Sequence, residues 1–138
     1  MRKIAGLLAF LCLWAIPAFA QMSEPDDIER ADVATGIFNK ACYSYAGKNN
    51  DAAAYLNQTF KKNDGPTKQV FLDFAKVNQG NVWIAAFPKG VFAIVLSEDG
   101  NCHVLAQKAN RERIHINIAG LATEAAKDKS QQVKPHET

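Results

Sequence analysis

The chain has 138 residues, 48% of them hydrophobic, with 16 basic and 14 acidic side chains for a net charge of +2. That length holds one domain with one modest core. A charge this close to balance argues against nucleic acid or anionic lipid as the main partner, because both demand a basic surplus.

The start reads as an address. Met1-Arg2-Lys3 is a charged leader, Ile4 to Ile16 is apolar, and Pro17-Ala18-Phe19-Ala20 ends in an Ala-x-Ala site. This is the pattern of a secretory signal peptide cut after Ala20. The alternative, an uncleaved anchor, needs about twenty apolar residues and finds roughly thirteen. Cys12 follows Leu11 rather than a small residue, so the segment lacks a lipoprotein signal. Cleavage removes Arg2 and Lys3 and leaves 14 basic against 14 acidic side chains. No later segment is long and apolar enough to span a bilayer. The expected organisation is a signal peptide at 1–20, one domain at 21–126 and a disordered polar tail at 127–138.

Pro25-Asp26-Asp27 opens a first helix, with acids at the positive end of its dipole. Ile28, Ala31, Thr35, Phe38, Cys42 and Tyr45 recur at helical spacing and predict its buried stripe; Gly47 is the expected stop. Asn49 or Asn50 is expected to cap a second helix whose apolar face is Ala52, Tyr55, Leu56, Thr59 and Phe60. Lys61 and Lys62 would sit at its negative end, and Asn63-Asp64-Gly65-Pro66 would stop it. Asn57-Gln58-Thr59 matches a glycosylation sequon, but its mid-helix place reads as an unused one. Thr67 to Gln79 fits a short amphipathic helix or a strand; Val70, Phe71, Phe74 and Val77 favour the helix.

The stretch from Asn81 to Gln107 predicts three strands. Val82 to Phe87 is rich in β-branched and aromatic residues and breaks at Pro88-Lys89-Gly90. Val91 to Leu96 is apolar throughout, as a strand covered on both faces would be. Ser97 to Asn101 holds an Asp-Gly turn signal, and Cys102 to Gln107 then alternates. Cys102, Val104 and Ala106 share the face expected to meet the core; His103, Leu105 and Gln107 share the other. Arg111 to Lys127 predicts a last helix with Ile114, Ile118, Leu121, Ala122 and Ala125 on one side. Its first part, Arg113 to Ile118, also alternates as a strand would.

Cys42 and Cys102 remain after processing. Helical spacing puts the first on a core face and strand alternation does the same for the second. In an oxidising compartment such a pair is expected to bridge. The competing reading is a thiol nucleophile served by His103. Adjacent strand residues point to opposite faces, which argues against it. His103, His115 and His136 lack metal-ligand spacing. No paired carboxylates suggest acid–base work, and Gly80, Gly90 and Gly100 are single turn glycines rather than a phosphate loop. Catalytic, cofactor-binding and metal-ligating sets are therefore all expected to be none. Trp83 and Phe92 fit either core or an aromatic platform, and core is the expectation.

Phe38-x-x-x-Cys42 on an early helix, Trp83 in a strand, the apolar run Val91–Leu96 and Gly100-x-Cys102-x-Val104-x-Ala106 together resemble a group of small secreted bacterial proteins of unknown function, over roughly residues 34–125. The resemblance implies no catalytic residues. Members of that group often continue past the last helix with further strands, whereas this sequence ends soon after Lys127.

The combined expectation is an α+β fold: two to three N-terminal helices on a three-stranded antiparallel meander, a C-terminal helix, and a Cys42–Cys102 disulfide. Its expected role is that of a non-enzymatic periplasmic or secreted module binding a protein or cell-envelope component. The alternative is an inhibitor of a cell-wall hydrolase or protease, with Pro88–Gly90 or Ser97–Asn101 entering the target's cleft.

Overall fold

The computed structural model describes residues 25–132. The signal-peptide reading and its cleavage after Ala20 lie outside the described residues, as do His136 and the end of the polar tail. Helix α1 spans Pro25–Ile37 and continues into a π-helical turn, Phe38–Cys42, and a 3-10 turn, Tyr43–Tyr45. Helix α2 (Asn49–Thr59), strand β1 (Lys61–Lys62) and helix α3 (Lys68–Phe74) follow. Strands β2 (Gly80–Phe87), β3 (Gly90–Ser97) and β4 (Cys102–Ala106) precede helix α4 (Arg111–Gln132). The four strands form one antiparallel sheet in the order β1-β2-β3-β4. The fold is α+β, with the expected meander at its centre.

Strand alternation sorts the sheet into two faces. Trp83, Ala85, Phe92, Ile94 and Leu96 point to one face and pack on Ala34, Ile37, Ala41, Ala52 and Leu56 of α1, the π turn and α2. Val82, Ala93 and Val95 point to the other and meet Leu72 and Ala75 from α3. Because helices stand on both sides, β3 is buried from Phe92 to Ser97, which is why Phe92 to Leu96 carries no polar residue. Trp83 and Phe92 are core, each 1% exposed, and the Trp83 indole N–H donates to Asn57 Oδ1 at 2.9 Å.

The disulfide joins Cys42 and Cys102, with their Cα atoms 5.5 Å apart. It ties the end of α1 to β4 across the larger core, closing a loop of 60 residues. The π turn sets its approach. Tyr43 N–H reaches back to both Phe38 O and Asn39 O, so one extra residue enters the turn. Of the predicted stripe, Ala31, Thr35 and Cys42 are buried, Phe38 and Tyr45 are half-buried and Ile28 stands 38% exposed; Ala34, Ile37 and Ala41 are buried beside them.

Other expectations are corrected. Lys61 and Lys62 are not a helix end: they form β1 and pair with Ile84 and Trp83. α2 begins after Lys48 without a side-chain cap, and the Asn49 amide instead lies against Gly100. Residues 113–118 are helical, as the favoured reading has it, and α4 runs to Gln132, past the helix end expected at Lys127. The helix favoured for Thr67 to Gln79 is α3, but it stops at Phe74 and exits through Lys76 at φ 56. There Val77 N–H bonds Leu72 O, a Schellman-type closure that usually employs glycine.

Helix α4 does not cover the sheet. It docks on α1 and runs in the same direction, from an Asn110 N–H bond to Asp27 O through Arg113 and Asn117 on Asp32 to Asn117 on Thr35. Asn110 caps it, its Oδ1 accepting from Arg113 N–H at 2.7 Å.

Candidate functional site

The second hairpin decides what the edge of the sheet offers. Ser97 and Asn101 stand opposite each other, since Leu96 pairs with Cys102. Ser97 N–H donates to Asn101 O and Gly100 N–H to Ser97 O, with Gly100 at φ 94. This is a type I turn closed by a glycine bulge. Hydrogen-bonded and non-bonded pairs alternate along an antiparallel ladder. It follows that His103 and Leu105 spend their backbone groups on Val95 and Ala93. The N–H and C=O of Cys102, Val104 and Ala106 point the other way, away from the sheet. Among the described residues no strand or loop pairs with them.

A groove of about 1030 Å³ runs along that free edge. On the disulfide side its wall is Phe38 with Ile114 and Ile118 of α4, which overhangs the edge from its seat on α1. On the other side its wall is Phe71 and Phe74, with Leu105. Phe74 is 74% and the neighbouring Val91 61% exposed, large apolar surface turned to solvent beside open backbone. No acidic side chain lines the groove; His103 and Arg111 are its titratable members. The arrangement has the shape of a missing strand: backbone donors and acceptors in the middle, apolar walls above and below.

The sequence-named residues are distributed as follows. Cys42 and Cys102 are the structural bridge between the π turn and β4. His103 is half-buried on β4, facing away from the disulfide. His115 is on the exposed surface of α4. Lys89 is held onto α1, its Nζ 3.0 Å from Asp26 and 3.7 Å from Glu29. Arg30 completes that tether. It pairs with Asp27 and donates to the carbonyls of Lys89 and Lys108. The Ser97–Asn101 turn is closed on itself by the Ser97 hydroxyl, which bonds Asp99 and Asn101. The carboxyls of Asp26 and Asp99 are held below the usual carboxylate range, the first by Lys89, the second by Ser97. Among the described residues no group of three His, Cys, Asp or Glu side chains is placed to hold a metal ion.

Val104 and Ala106 face the larger core as expected, partly buried against it; with Ile114 and Ile118 they also rim the open groove, which no local pattern announced. Comparison with known protein families, with curated proteins and with solved structures finds no match to this chain.

Proposed function

We propose that this chain is a non-enzymatic exported module that captures an extended segment of a partner protein as a fifth strand on β4. The observation that carries this reading is the outward backbone of Val104 and Ala106 between two apolar walls, continued along the strand by that of Cys102. Main-chain pairing would supply affinity, and the walls would select a strand apolar on both faces, as β3 is. A second copy of the chain is a poorer occupant, because α4 overhangs the edge and leaves room for a lone strand. Export from the cytosol is supported by the Cys42–Cys102 bridge, since such bonds persist in oxidising compartments.

The test uses a peptide of alternating valine and isoleucine flanked by lysines. On binding, hydrogen exchange at the amides of Cys102, Val104 and Ala106 slows, while His103 and Leu105 do not change. Ala106→Pro removes one outward N–H, which an edge strand tolerates, and abolishes the effect. A folded wild-type protein whose three outward amides exchange equally fast with and without peptide would end the proposal. Amino-terminal sequencing of the exported form checks the other half: a first residue other than Gln21 moves the cleavage site.

A further inference from the structure

The opposite edge of the sheet carries a second groove, and its chemistry differs. Strand β1 covers only part of β2: Lys61 pairs with Ile84, and Asn63 N–H bonds Val82 O. By the same alternation Ala86 also turns its backbone outward, and it lies beyond the reach of β1. There a groove of about 600 Å³ opens between α1, the end of α2 and β2. Its lining is apolar, with Val33 and Ile37 on one side and Phe60, Ile84 and Phe87 on the other. Its floor passes Gly36, where an added Cβ would meet nothing within 4 Å. Its only charged lining groups are Lys40 and Lys61, neither of which makes an ion pair among the described residues.

We infer that this groove binds a single-chain anionic amphiphile, in the form of a free medium-chain fatty acid. The walls offer a tail apolar contact partly shielded from water, in a volume ordinary for small-ligand sites. Two unpaired ammonium groups on a lining with no acid set the sign of the head. A concave slot of this size takes one chain rather than the surface of a bilayer. The inference is independent of strand capture at β4, because the two grooves share no lining residue.

Titration calorimetry of the disulfide-bonded protein with dodecanoate, kept below its micellar concentration, tests it. The parallel arms are dodecyltrimethylammonium and phosphatidylglycerol vesicles. The expected result is saturable one-to-one binding of dodecanoate, at least tenfold weaker binding of the cationic analogue, and a shift of the Ala86 amide resonance. Gly36→Leu fills the slot and removes binding while the melting temperature holds. Lys40→Glu with Lys61→Glu weakens binding by roughly five- to tenfold and flattens its salt dependence, and it serves where Gly36→Leu fails to fold. No saturable binding of dodecanoate, equal affinity for both head-group charges, binding to vesicles alone, or full affinity in a folded Gly36→Leu protein each overturns the inference.

Discussion

The two faces of the sheet are covered unequally. On the disulfide face, α1, the π turn and α2 bury Trp83, Phe92, Ile94 and Leu96, and a covalent bond fixes the layer to β4. On the other face, seven residues of α3 cover β2 and β3, while His103 and Leu105 of β4 remain half-exposed. The thick face holds the domain together. The thin face, with the free edge beside it, leaves open backbone and exposed Phe74 and Val91. Buried apolar surface is thus concentrated on one face, and exposed apolar surface on the other.

That contrast can be tested by mutation. Trp83→Ala removes the largest buried side chain and its bond to Asn57, and should destabilise by about 3–5 kcal/mol in denaturant unfolding. Cys42→Ser with Cys102→Ser releases a loop of 60 residues and should lower stability by about 4 kcal/mol at most, read as a fall in melting temperature of roughly 10–20 °C. Leu72→Ala on the thin face should cost less, about 2–3 kcal/mol, because surrounding side chains and solvent can relax into the space. A loss as large as that of Trp83→Ala would erase the contrast between the faces. Lys76→Gly at the left-handed exit of α3 should stabilise by about 0.5–1 kcal/mol, since glycine adopts that backbone without a Cβ clash.

The seam between α1 and α4 gives a pH-dependent test. Hydrogen bonds from Arg113 and then Asn117 hold the Asp32 carboxyl below the usual carboxylate range. A depressed folded-state value means the contribution is present above the unfolded pKa, about 3.9, and is lost as pH falls through the lower folded value. Acid titration should therefore loosen α4 below about pH 4 before the thick face melts, and Asp32→Asn should flatten that early step. An unchanged acid profile in the variant would show that α4 is not held by this carboxylate.

Much of the fold was legible because its signals are local. Alternation in Cys102 to Ala106, the apolar run of β3 and the Asp-Gly turn each follow from neighbours in the chain. Both cysteines were placed on core-facing positions by periodicity, and the bridge followed. The misses have one cause. Whether Phe38 is core or groove wall depends on where Ile114 and Ile118 of α4 lie, which no spacing announces. Whether Lys61 and Lys62 end a helix or pair with β2 depends on what Phe60 and Trp83 bury.

The sequence by itself determined the three long strands, most of the helices, their two-faced patterning and the partner of each cysteine, since these depend on residue type and short-range geometry. Only the tertiary structure decided that α4 lies on α1 instead of the sheet, and hence that the edge of β4 stays open. A helix with a half-apolar stripe is compatible with either seat. The choice is made by Asp32, Arg113 and Asn117, residues 81 to 85 positions apart whose pairing no local pattern encodes.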